Sequence, residues 1–230
     1  MPIPSPKLHG MLLLIVFCSP ALRAQADSGD VPRRLLGINA GLGVSVVDAP
    51  DVVDYINLRF APSSRLDDFA TAAEFFAAAE VQWSDSWGAK LEYAYLLKSY
   101  EIPVANAAPF SFSYGIHMPT LMAQYLILGE GYALKLGFGA GVHLARFTEE
   151  ASIYGQNDYR STGLGIKLEG EANTEFDEHL YGSLTGDIRD EFMSALHDAA
   201  GSELTIPVKN RAARMSLFTL GLKFGLIYYF

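Results

Sequence analysis

Residues 132–144 read YALKLGFGAGVHL, from Tyr132 to Leu144. Tyr132, Leu134, Leu136, Phe138, Ala140, Val142 and Leu144 share one parity; Ala133, Lys135, Gly137, Gly139, Gly141 and His143 hold the other. Alternation with period two is the pattern of a strand with two unlike faces. The glycines invite a phosphate-loop reading, but the alternation runs straight through them. No turn and no helix start remain for a phosphate.

The same pattern recurs along the chain. It places Ile38, Ala40, Leu42, Val44 and Val46 on one face, then Ala73, Phe75, Ala77, Ala79, Val81 and Trp83. Ala89, Leu91, Tyr93, Tyr95 and Leu97 follow, then Leu121, Ala123, Tyr125 and Ile127. After residues 132–144 come Leu164, Ile166, Leu168 and Ala172, then Leu180, Leu184 and Ile188. The last stretch has Phe218, Leu220, Leu222, Phe224, Leu226, Tyr228 and Phe230. The pattern therefore predicts eight strands. No segment after the first 26 residues offers the roughly 18 apolar residues that a spanning helix needs.

A soluble barrel or sandwich and a membrane barrel would both alternate, and three features favour the membrane. No charge occupies an apolar-parity position in any of these stretches; an Arg or Lys facing mid-bilayer costs about 2–4 kcal/mol. The other parity carries Glu74, Glu80, Glu92, Glu169, Glu171 and Asp187 against Lys90, Lys98, Lys135, Lys167, Arg189 and Lys223, six of each sign. Such balance predicts an ionic network closing a narrow lumen, crowded further by Phe76, Leu96, Met122 and Tyr181. Connections also alternate. Short ones at SDSW (84–87), LGEG (128–131) and FDEH (176–179) separate long ones near 48–68, 101–110, 148–160 and 190–211. That is the asymmetry of short periplasmic turns and longer outer loops. Trp83, Trp87, Tyr125, Tyr132, Tyr228 and Phe230 would form a girdle at the short-turn ends, and Tyr100, Phe110, Phe112, Tyr114 and Phe147 a second near the loops.

The expected fold is all-β, an eight-stranded antiparallel up-and-down transmembrane β-barrel over residues 35–230. Residues 1–26 read as a cleavable secretory signal, with Lys7, the apolar run Met11–Cys18 and a small-residue end at Ala24-Gln25-Ala26. Cys18, the single cysteine, is read as part of that apolar run, since bulky Phe17 precedes it. Without the signal the chain keeps 15 basic and 26 acidic side chains, net −11. That balance argues against nucleic acid as a partner. Residues 27–34 read as a short periplasmic lead-in.

The ending, with Phe224, Leu226, Tyr228 and Phe230 two apart, resembles the carboxy-terminal signature of bacterial outer-membrane barrels. The chain resembles the small eight-stranded barrels of the OmpA/OmpX type, the outer membrane protein β-barrel domain family. The resemblance implies a cell outer membrane location, recognition of those four residues by the barrel-assembly machinery, and contact with outer-membrane lipid and lipopolysaccharide. The family covers adhesive, structural, enzymatic and transport roles.

Little in the chain points to chemistry. His143 is expected to point inward, and Pro119 to mark a bulge where the apolar parity changes from even (Phe112, Tyr114, Ile116, Met118) to odd (Leu121 onward). Outer-membrane deacylases carry a His with a Ser two residues on; here His117, His143, His179 and His197 lack that partner. Acidic loop residues Asp48, Asp51, Asp54, Asp67, Asp68, Glu149 and Glu150 lack the spacing of a calcium loop and read as solubilising. Residues 51–68 could extend the second strand or form a hairpin. No catalytic, metal or cofactor site is assigned. The expected role is structural or surface-interacting, through the loops and an unidentified extracellular ligand; a narrow channel and a lipid-modifying enzyme are the competing readings.

Overall fold

The computed structural model describes residues 36–60, 65–67, 69–103, 109–151 and 155–230. The expected signal, the lead-in and Asp68 lie outside them. Strand β1 (Leu36–Asp48) is followed by helix α1 (Pro50–Arg59), β2 (Phe69–Gln82), β3 (Trp87–Ile102) and β4 (Phe110–Gly129). Then come β5 (Tyr132–Ala151), β6 (Gly155–Asp177), β7 (Leu180–Met193), the two-residue strands β8 (Thr205–Ile206) and β9 (Arg211–Ala212), and β10 (Leu217–Tyr229). β8 and β9 pair with each other. The other eight close an antiparallel barrel in the order β1-β10-β7-β6-β5-β4-β3-β2. Closure runs from Gly37↔Tyr229 to Asp48↔Phe218, so no barrel edge is left unpaired.

The apolar parity faces outward on every barrel strand. Leu136 is 59% exposed and Phe138 58%, values no water-facing wall sustains over a whole perimeter. At about 3.3 Å per residue and a tilt of about 40°, Tyr132 to Leu144 spans about 30 Å along the membrane normal. That matches a hydrocarbon core. At the lower edge all six girdle residues stand exposed. Trp87 meets Tyr125 edge-on with ring centroids 5.4 Å apart, and Tyr228 meets Phe230 at 5.1 Å. Below the edge the chain turns through residues 83–86, 130–131 and 178–179, with Gly131 supplying the φ of +74° its two-residue turn needs.

Four expectations fail, for one shared reason. β4 carries no bulge at Pro119: its register with β3 is continuous from Trp87↔Tyr125 to Ile102↔Phe110. Phe112, Tyr114, Ile116 and Met118 therefore face the interior with Thr120 and Met122. The upper girdle is absent too, because Tyr100, Phe112, Tyr114 and Phe147 are buried inside and Phe110 is half-buried. The third outer loop shrinks, since β5 and β6 stay paired up to Ala151↔Gly155. Residues 50–59 form α1 rather than strand or hairpin. Above the membrane the barrel continues as a water-soluble protein would, apolar within and polar without. The parity persists while its meaning reverses. Pro50 at the first turn and Arg59 in the last suit the helix ends.

Candidate functional site

Inside the membrane-spanning part, the inward parity delivers charge from six strands to one axis. Lys90 on β3 lies 2.9 Å from Glu169 and 2.8 Å from Glu171, both on β6. Lys135 on β5 pairs with Glu80 and lies 2.8 Å from Glu171. Glu92 faces Lys167 at 2.6 Å, Lys223 at 3.0 Å, and Lys90 and Arg189 at 3.5 Å. Arg189 reaches Glu74 at 2.5 Å and Asp187 at 3.2 Å, and Ser45 donates to Glu74 at 2.9 Å. All eleven of these charged residues are buried, five cations against six carboxylates. The glycines of residues 132–144 leave room for them, since a Cβ on Gly137 would stand 2.8 Å from Glu169 Cγ.

Lys98, the twelfth expected member, stands apart. It shares the inward parity, but its row (Lys98↔Tyr114) lies above the network, and its ammonium sits 5.1 Å from the ring centroid of Tyr100. In its place the structure supplies Glu191 and His143. His143 Nδ1 contacts Glu191, and His143 Nε2 lies 3.3 Å from Thr120 Oγ1. Gly165 makes the space: a Cβ there would stand 2.2 Å from His143 Cε1. The three side chains form one buried chain of contacts. The Thr120 hydroxyl also lies within donating distance of the Met118 carbonyl, at 3.3 Å, and Thr120 is 2% exposed. Glu191 is hidden in the sequence because Asp190, on the apolar parity, reads as the end of the seventh strand.

Above His143 and Glu191 lies an apolar head. Leu96, Phe112, Ile116, Phe147, Met193 and Met215 pack around Val52, Tyr55 and Ile56 of α1. Tyr55 stacks edge-on against Phe147, donates to Glu149 at 2.6 Å, and accepts from Arg59 at 2.6 Å. Burial and the Glu149 carboxylate push the Tyr55 phenol above the ordinary tyrosine range. The acidic loop residues have specific partners. Asp51 takes a two-pronged bond from Arg211 (2.8 and 2.5 Å) and another from the Arg214 N–H at 3.0 Å. Asp54 pairs with Lys209 and lies 3.9 Å from Arg65. These bonds tie α1 to the β8–β9 hairpin. Hydrogen bonding to Asp51 raises the Arg211 guanidinium further. Among the described residues, no group of three or more His, Cys, Asp or Glu is placed to hold a metal ion.

No protein-family model matches the chain, and no curated protein matches it in sequence. Solved structures match in fold. Neisserial surface protein A superposes with a TM-score of 0.51 over 85% of this chain and 97% of that one, at 11% identity. A major outer membrane protein from Thermus thermophilus gives 0.52 over 85% and 99%, at 12% identity. The chain is a small eight-stranded β-barrel of the outer-membrane type.

Proposed function

We propose that this protein is an integral outer-membrane barrel that holds a rigid head at the cell surface for contact with an extracellular partner, and that nothing passes through it. The observation that carries this reading is the double filling of the interior. Eleven paired charges occupy the membrane section, and an apolar core closed by α1 lies above them. An eight-stranded barrel is only wide enough for its own side chains. Here those side chains meet across the axis. The exposed tip at Val208, 91% accessible, and the ion pairs fixing α1 to β8–β9 make the head a defined surface rather than a set of loose loops. In this reading the surrounding lipid and lipopolysaccharide, and the barrel-assembly machinery during insertion, are its remaining partners.

Planar-bilayer recording of the refolded mature chain tests it. The expected trace is silent, from protein whose folding is confirmed by heat-dependent gel mobility. Steady, discrete conductance steps would overturn the reading in favour of a narrow channel.

A further inference from the structure

Among the described outward positions of the eight barrel strands, the only Lys or Arg residues are Arg146 on β5 and Arg160 on β6. They are direct cross-strand partners. Like charges directly opposite one another destabilise a sheet. A wall that excludes cations everywhere else therefore sets its two together. Their height is also particular. Two rows below them Val142 faces Leu164, the last fully apolar pair, and two residues above Arg146 the wall carries Thr148 opposite Asp158. Arg146 and Arg160 stand at the upper edge of the apolar belt, where an inserted barrel meets lipid headgroups.

The two guanidinium groups are not equivalent. Asp158 holds Arg146 in place with a two-pronged bond (3.1 and 2.6 Å), and Thr148 donates to the same carboxylate at 2.7 Å. That bonding keeps the Asp158 carboxyl ionised down to about 2. Arg160 has no side-chain partner among the described residues and is exposed. Gly115, the partner of Arg146 on β4, leaves the strand bare, and a Cβ there would stand 2.4 Å from the Tyr95 hydroxyl. The Tyr95 ring thus lies across Gly115 on the Arg146 side of β3 and stacks on His117, centroids 4.7 Å apart. The result is one patch of wall with two guanidinium groups, a phenol and an imidazole.

We propose that Arg146 and Arg160 hold the phosphate-bearing headgroup of an outer-leaflet lipid against the barrel wall, with Tyr95 and His117 bordering it. Guanidinium forks suit phosphate oxygens; Asp158 orients Arg146 and offsets its charge, so Arg160 brings the cation that has no carboxylate partner among the described residues. The proposal rests on insertion in the outer membrane and is independent of whether the lumen conducts.

Native mass spectrometry of the refolded mature chain in dodecylmaltoside, titrated with diphosphoryl lipid A, tests it. The unmodified protein is expected to retain one lipid at low lipid concentration. Arg160→Gln and Arg146→Gln should each weaken retention by about tenfold or more, the value of a charge-assisted hydrogen bond. Arg160→Lys should fall between, and Arg214→Gln, which removes a charge from the surface loops, should match the unmodified protein. Because the Arg160 side chain has no partner among the described residues, its variants should show the normal heat-dependent gel shift. Retention unchanged in Arg160→Gln overturns the proposal. So does an equal loss in Arg214→Gln, which means bulk charge, or full displacement by inorganic phosphate, which means a site for the free anion. A barrel that conducts but keeps the Arg160 dependence would sink the surface-contact reading alone.

Discussion

Glu92 has four cations within 3.5 Å and no exposed surface. Neutralising it leaves Lys90, Lys167, Arg189 and Lys223 crowded around an amide. Glu92→Gln should therefore lower stability by about 3–5 kcal/mol, the range for breaking a buried ionic cluster. Lys98→Gln should stay within about 0.5 kcal/mol, as for a group outside any ion pair among the described residues. Urea unfolding of the refolded barrel followed by tryptophan fluorescence compares the two; equal midpoints would show that Glu92 is not the hub of the network. Both residues are visible in the sequence as inward-facing, because side chains alternate. What separates them is height along the barrel axis, which a period-two pattern does not encode. His143 was legible as inward for the same reason. Glu191 was not, because its neighbour Asp190 breaks the apolar parity where the wall turns polar.

At the scale of the element, α1 shows how a short helix hides among strands. Val52, Val53, Tyr55 and Ile56 favour strands by composition, while Pro50 and Arg59 mark helix ends only once a helix is considered. Besides the Asp51 and Asp54 bonds to the β8–β9 hairpin, the helix is held by burial and by one phenol bridging Glu149 and Arg59. Tyr55→Phe leaves the buried Glu149 carboxylate without its donor and should loosen the helix by about 1–3 kcal/mol, the penalty for a buried group left unsatisfied. Amide hydrogen exchange should speed up over residues 50–59 while β5 and β6 in the membrane keep their protection. Unchanged exchange would mean that packing and the Asp51 and Asp54 bonds seat the helix without the phenol. β4 teaches the complementary lesson. Its apolar even residues beside apolar odd ones look like a register break, yet the strand is regular and only its surroundings change.

For the whole molecule, the alternation and the closing strand were readable, since a barrel in lipid has few other ways to satisfy its backbone. So was the asymmetry of the connections, except at the third outer loop, where β5 and β6 run on. Leu136→Arg and Lys135→Gln, adjacent on β5, test the inside–outside assignment. The first puts a charge on the lipid face at about 2–4 kcal/mol, and should abolish insertion into preformed vesicles while leaving folding in detergent. The second removes one of the two cations that Glu80 and Glu171 share, leaving Lys90 alone, and should weaken the barrel in detergent and vesicles alike. Loss of the same kind from both would contradict the assignment. One consequence of the reversal between belt and head concerns how such a chain tolerates insertions and deletions. Removing one residue from the middle of β4 while the belt stays in frame would turn Phe112, Tyr114 and Ile116 out to water and bring Ser113 and His117 into the head. Removing two would restore the phase. Strands of this barrel can thus change length only in even steps, whereas the turns between them are free to change by any number.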